Sequence, residues 1–239
     1  MKLQVLQTIY RTFDNWSREF PAVCGPSCSN CCTDNVTMTA QEGVEILRFV
    51  MLEGMTGWFA QTLAGASLHQ PAKMTTNDFA LACLEGRETD PGECRTPTAC
   101  PFLGKTDRLC RIYPVRPFAC RLFASARECA VTQPALMPEY YFEAATAMTQ
   151  LIEHLGQKEY WGNMLDVLPA LLDIGEFREI GILLPPGQAL QARLRTLTAK
   201  PLPGFLISVE NEERVSALLE TIFQTKVDGK TVEDILNGR

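Results

Sequence analysis

Beyond Cys129 the sequence contains no cysteine, and its 239 residues hold only two histidines, His69 and His154. The 110 residues from 130 to 239 therefore offer no thiolate ligand. Two imidazoles read as ordinary surface residues rather than as a site of their own. No uninterrupted apolar run reaches membrane-spanning length, so no membrane partner is expected. Residues 1–20 mix Lys2, Arg11, Asp14, Arg18 and Glu19 with apolar positions and lack the apolar block of a signal peptide. A cytoplasmic protein with reduced thiols is the expectation. An excess of positive charge is also missing. The formal net charge is −6 and the pI about 5.1, which argues against a nucleic-acid backbone as partner. There is no internal repeat, no low-complexity segment and no recognisable glycine-rich cofactor loop. A hydrophobic fraction of 46% is that of an ordinary globular chain, long enough for one large domain or two small ones.

What the sequence does have is sulfur. All ten cysteines, Cys24, Cys28, Cys31, Cys32, Cys83, Cys94, Cys100, Cys110, Cys120 and Cys129, fall before residue 130. Four of them sit in Cys24-Gly-Pro-Ser-Cys28-Ser-Asn-Cys31-Cys32. Gly25, Pro26, Ser27, Ser29 and Asn30 favour tight turns over a regular helix, and turns let several sulfurs converge. Scattered cysteines act as small buried hydrophobes, but four among polar turn residues have no apolar role. Thiolates suit soft metals, zinc and iron–sulfur clusters. Without an export signal, metal is favoured over disulfides. In extended backbone Cys31 and Cys32 would leave on opposite faces, so one of them would serve a different metal, a different cluster edge, or nothing.

A second constellation is Cys100, Cys110 and Cys120, with nine residues between neighbours and Pro101, Pro114 and Pro117 stiffening the chain. Cys129 follows nine residues later as an eighth candidate ligand. Arg111, Arg116 and Arg121 flank these thiols. A four-thiolate site carries excess negative charge that guanidinium groups would offset, and Arg116 and Arg121 are read as contacts to the bound group. Pro117 is expected to open a short helix with Cys120 in its first turn, where free N–H groups favour an anionic sulfur. Cys83 reads as a packed core residue on a helix, and Cys94 as a loop residue, ligand or bystander.

Around the thiols the pattern is helical. Leu3, Leu6, Tyr10, Phe13, Trp16 and Phe20 recur at helical steps and deliver the chain to Cys24. Residues 35–39 alternate like a short strand, and Thr39-Ala-Gln-Glu42 reads as a capping box for a helix with Val44, Leu47 and Val50 on one face. A weaker helix covers 55–66, with Trp58, Phe59 and Leu63 inward. Asn77 is expected to cap a helix ending at Gly86. Residues 85–98 read as a loop. Helices are expected over 138–155, over 159–172 with a bend at Pro169, over 186–197, after Asn211 with Val215, Leu218, Leu219 and Ile222 inward, and over 232–236. Residues 205–209 read as a strand. The fold class is mainly α: a small irregular cysteine-rich core with helices around it and few short strands. Residues 1–137 form the metal-binding region, and 138–239 a helical remainder packed on it as one unit.

Cys24-x3-Cys28-x2-Cys31-Cys32, then Cys100-Pro-Phe-Leu, then Cys110-x-Ile-Tyr-x-x-Arg-Pro-x-x-Cys120-Arg resembles the bacterial cysteine-cluster family of zinc- or iron-chelating domains, whose members include flagellin lysine N-methylases. The resemblance covers about residues 20–129. It implies that Cys24, Cys28, Cys31, Cys32, Cys100, Cys110 and Cys120 belong to the metal site, and it names no single activity. The spacing of the first three thiols is also that of radical S-adenosylmethionine enzymes. Asn30 replaces the aromatic residue common before the last cysteine there, and no alternating strands and helices follow to build the barrel. Three functions remain. The first is a four-iron (4Fe–4S) cluster protein serving electron transfer or redox sensing with a protein partner. The second is a structural zinc protein whose helical remainder binds a partner. The third is an S-adenosylmethionine-dependent protein-lysine N-methylase, implied by the resemblance alone.

Overall fold

The computed structural model describes residues 1–25, 28–66, 71–90, 96–130, 132–173 and 175–239. Pro26, Ser27, His69 and Cys94 lie outside the described residues. The fold is mainly α. In chain order the elements are α1 (Lys2–Ser17), β1 (Thr37–Thr39), α2 (Ala40–Leu52), α3 (Thr56–Ala64), α4 (Thr76–Leu84), α5 (Phe118–Arg121), α6 (Glu139–Leu155), β2 (Tyr160–Asn163), α7 (Met164–Leu171), α8 (Arg178–Gly181), α9 (Gln188–Arg193), β3 (Leu197–Thr198), α10 (Glu212–Gln224), β4 (Lys226–Val227), β5 (Lys230–Thr231) and α11 (Val232–Leu236). The antiparallel sheet β1-β2-β3 pairs Met38 with Gly162 and Trp161 with Leu197. Among the described residues no helix is long and apolar enough to cross a membrane.

Two apolar clusters hold these elements. One joins Val5, Leu6, Ile9 and Phe13 of α1 to Ala144, Met148 and Leu151 of α6, Val215 and Ile222 of α10, and Val232 of α11. The other joins Ile46, Leu47 and Val50 of α2 to Phe59 and Leu63 of α3 and to Val167, Leu168 and Leu171 of α7. Each draws on residues before and after 138. Gly43 lies where α2 meets α7: a Cβ there would stand 2.6 Å from the Leu171 Cδ1 atom and 3.1 Å from the Met38 Cε atom, so a larger residue would make these side chains shift.

The Thr39–Glu42 capping box is present. Other elements differ from the sequence reading. The cap of α4 is Thr75, boxed with Asp78. Asn77 lies inside the helix, and its Nδ2 donates to the carbonyls of Gln150 and Lys200, each at 3.1 Å. Residues 160–163, read as helix, form β2 because strand partners lie on both sides. Residues 205–209 form no strand. Their backbone is satisfied by side chains of α6 instead: Gln150 Oε1 accepts from Leu206 N at 3.1 Å and Glu143 Oε2 from Ser208 N at 3.0 Å. Pro117 caps α5 from outside rather than opening it. The helix expected over 186–197 is confined to α9, and the chain then enters β3.

His154 is not an ordinary surface residue. It is half-buried, and the neighbouring Glu153 is fully buried, accepting the backbone N–H groups of Asn77 and Lys200 at 2.8 Å. The Nδ1 atom of His154 accepts from Leu202 N at 3.1 Å, and its Nε2 lies 3.2 Å from the Leu236 carbonyl oxygen, so the bonding assigns the neutral Nε2–H tautomer. Burial holds its pKa below the usual value. Its contribution to stability is therefore complete above about pH 6.5 and declines as the pH falls below that. Denaturant melts from pH 7 to 5 are expected to show a steeper loss for wild type than for His154→Gln; parallel profiles would contradict this. Phe13 is fully buried and its ring stands 4.9 Å from Phe118 and 5.7 Å from Tyr141. Phe13→Ala is expected to cost about 3–5 kcal/mol in urea unfolding.

Candidate metal centre

The two thiol-bearing segments are joined first by backbone. Thr33 and Ala99 form an antiparallel bridge, and Cys100 N donates to Cys32 O at 3.0 Å. Asp34, which is buried, extends the join: its Oδ1 accepts from Thr98 N at 2.9 Å and its Oδ2 from the Thr98 hydroxyl at 2.7 Å. Asn163 Nδ2 then donates to Asp34 O at 2.8 Å, tying the pair to β2. A second bridge, Leu103 to Cys110, folds residues 100–110 back on themselves. Arg108, at a φ of 56°, donates through Nε to the buried Ser29 hydroxyl at 2.7 Å and so clamps this fold onto the 28–32 turn.

The stretch carrying Cys100, Cys110 and Cys120 is also pegged into the apolar clusters. Phe102 is fully buried and stacks 5.4 Å from Phe59. Ile112 is 2% exposed, and Phe118 is buried against Phe13 and Tyr10. The placing of Phe118 rests on Glu42. One oxygen of its carboxylate accepts from Phe118 N at 2.8 Å and from the Tyr10 hydroxyl at 2.7 Å, while the other accepts from Thr39 N at 2.8 Å. Burial raises the Glu42 carboxyl above its usual range against the pull of these bonds, and it raises Tyr10 too. Among the described residues no fully buried apolar side chain lies at 24–33 or 123–136, where only the half-buried Ala124 and Ala126 pack against the first cluster. Those stretches are held by polar bonds: Val23 N to Ser125 O at 2.8 Å, Asn30 Nδ2 to Cys129 O at 2.7 Å, and Leu136 N to the buried Ser125 hydroxyl at 3.0 Å.

The result is two adjoining cavities. The inner one, about 280 Å³, is lined by Cys24, Cys28, Cys31, Cys32, Cys100, Cys110 and Cys120, with Arg116, Arg121, Tyr141 and Met164 among its walls. The outer one, about 350 Å³, is lined by Cys24, Cys28, Cys31 and Cys129. All eight candidate thiols thus lie on these two walls. The nine described cysteines are all free. Among the described residues no three His, Cys, Asp or Glu side chains are grouped as ligands of a single ion; the sulfurs line cavities rather than converge on a point.

The electrostatics sort the thiols further. Burial is the main cause that raises Cys120, Cys110 and Cys100, the last to about 11. Cys120 N bonds to Pro117 O at 2.9 Å, and burial outweighs any benefit from the start of the four-residue α5, contrary to the expectation of an anionic sulfur there. Cys31 and Cys32 do not part company. Residues 29–33 form a turn, with Cys32 N bonded to Ser29 O and Thr33 N to Cys31 O, both at 3.0 Å. Their side chains hydrogen-bond to each other, which raises Cys31 and lowers Cys32. Arg116, stacked 3.8 Å from the Tyr113 ring centroid, exerts the charge that favours thiolate at Cys31, Cys110 and Cys120. Arg121 is engaged elsewhere. It bonds to Asp14 at 3.1 Å and to the carbonyls of Arg116 and Pro114, each at 3.0 Å, and lies over Tyr10. Arg111 pairs with Asp107 at 2.7 Å and lines neither cavity.

Cys83 is exposed on α4 rather than packed in the core: Ala80 and Ala82 take the inward positions. Asp34, Ser29 and Arg108 position the site and carry no local sequence signal. Glu42 was legible only as a cap. Alkylation of the folded protein near about pH 8, read by mass spectrometry, is expected to modify Cys83 at least about tenfold faster than Cys120. Equal rates would contradict the buried placement of Cys120.

No curated protein and no solved structure matches the chain. A family does match: residues 23–141, about half the chain, fit the family CxxCxxCC, described as "Putative zinc- or iron-chelating domain". That span includes every thiol on the two cavity walls, and on this match the chain belongs to the cysteine-cluster family.

Proposed function

We propose that this protein holds iron as at least one four-iron cluster and serves in electron transfer or redox sensing. One observation carries the reading: seven thiols, brought from segments 67 residues apart in sequence, line one cavity of about 280 Å³ without grouping around a single ion position. A structural zinc needs four sulfurs at about 2.3 Å from one point, whereas a cluster takes its thiolates at the corners of a larger body. The donor set fits, because it is all sulfur and soft. Cys32, Cys100, Cys110 and Cys120 would hold the group, with Cys24, Cys28, Cys31 and Cys129 as the further thiols. When bound, such a cluster supplies a one-electron couple whose potential follows its net charge, hydrogen bonding and exposure.

The chain's own residues supply the environment. Arg116 offsets the thiolate charge, while Val36, Ile112 and Met164 keep one side of the cavity apolar. Tyr141, raised to about 12 by burial, stays neutral against it. Residues 138–239 serve as scaffold, with α6 and α7 backing the cavity and no cysteine of their own. The exposure of Cys24, Cys28 and Cys31 leaves one face open to a redox partner. A reducing compartment such as the cytoplasm suits thiols that stay free.

Anaerobically purified protein is expected to be coloured and to contain iron and acid-labile sulfide in equal amounts. Cys120→Ala is expected to lower that absorbance, and Cys83→Ala to keep both absorbance and melting temperature. A colourless protein carrying stoichiometric zinc would overturn the iron reading in favour of a structural zinc domain.

A further inference from the structure

We propose that the eight thiols form two four-cysteine centres of unequal stability: an inner one of Cys32, Cys100, Cys110 and Cys120, and an outer one of Cys24, Cys28, Cys31 and Cys129. The inference rests on the metal-binding reading above but not on which metal is bound. Cys32, Cys100, Cys110 and Cys120 line the inner cavity alone, and Cys129 lines the outer cavity alone. Cys24, Cys28 and Cys31 form the wall between the two. Assigning them outward completes a second set of four. Assigning them inward gives seven ligands to one group and strands Cys129 on a cavity with no other sulfur.

The seam between the two sets is the turn that carries Cys31 and Cys32, where Cys32 N bonds to Ser29 O at 3.0 Å. The Asn30-to-Cys129 bond holds the far ligand of the outer set against the 28–31 turn.

The two sets differ in what holds them. The inner ligands are carried by a stretch pegged with Phe102, Ile112 and Phe118, each at most 2% exposed. Among the described residues, the stretches that carry the outer ligands fully bury no apolar side chain, with only the half-buried Ala124 and Ala126 against the first cluster, and Cys24, Cys28 and Cys31 are exposed. Ordering such segments costs roughly 1–2 kcal/mol per residue, and bound metal offsets it by favouring the ordered form. The outer centre therefore forms last, exchanges metal first and orders its own loops.

The test is metal release from the anaerobically prepared full-length protein on adding a chelator, with iron, sulfide and zinc determined before and during release. Wild type is expected to lose metal in two phases of equal size. The fast phase should coincide with increased protease cleavage at 24–33 and 123–136. Cys24→Ser with Cys129→Ser is expected to hold half the wild-type metal and to release it only in the slow phase. A single phase in wild type, or loss of all metal from this double variant while it remains folded by circular dichroism, would overturn the division. If the double variant unfolds, the phases and cleavage sites in wild type decide the matter alone. Two zinc ions per chain released in two phases would uphold the division and overturn only the iron reading. A wild-type protein without metal would overturn both.

Discussion

A single buried carboxylate joins the parts of this molecule. Glu42 accepts hydrogen bonds from Tyr10 on α1, from Thr39 at the start of α2 and from Phe118 at the start of α5. These belong to three elements, and the turn with Phe118 also carries Cys120. An unpaired buried carboxylate would be costly. Once the chain commits Glu42 to the interior, these donors must follow. The apolar clusters on either side then close around a fixed joint, with Phe13 and Tyr10 against Phe118 in one and Ile46 and Leu47 in the other.

The thiol cavities obey a different balance. Bringing seven sulfurs to one wall is unfavourable for thiolates, because burial and mutual repulsion both raise their pKa values. The structure meets this with little cationic charge. Arg116 faces the sulfurs, whereas Arg121 spends its guanidinium on Asp14 and two carbonyls. Burial thus favours the protonated form at Cys100, Cys110 and Cys120 in the metal-free chain, and metal must displace those protons to bind there. Affinity for metal is then pH-dependent, as for any site whose ligands must deprotonate.

The division between apolar pegs and polar ties explains why the two walls differ. Phe102 and Ile112 fix the inner thiols whether or not metal is present, so the turn-rich look of 100–110 misrepresents how much apolar surface it buries. The described residues of 24–33 and 123–136 match their composition more closely: they are held by polar bonds such as Asn30 to Cys129.

The sequence alone determined the features that follow from local spacing. The thiol constellations, the mainly helical class, the faces of α1, α2 and α10 and the Thr39–Glu42 box are all set by residues within a few positions of one another, where periodicity and capping chemistry act. Even the meeting of the two thiol segments was inferable, since the three or four ligands of the first do not complete two sites alone. Only the tertiary structure decided which partners lie across the fold. The second oxygen of Glu42 reaches Phe118, 76 residues on. Gln150 and Glu143 satisfy the backbone of a would-be strand at 205–209. Residues 160–163 become a strand because β1 and β3 flank them, and Cys83 faces outward because Ala80 and Ala82 already fill the inner face of α4. These outcomes depend on packing between distant segments, whose energies overrule the weak local preferences of a short stretch.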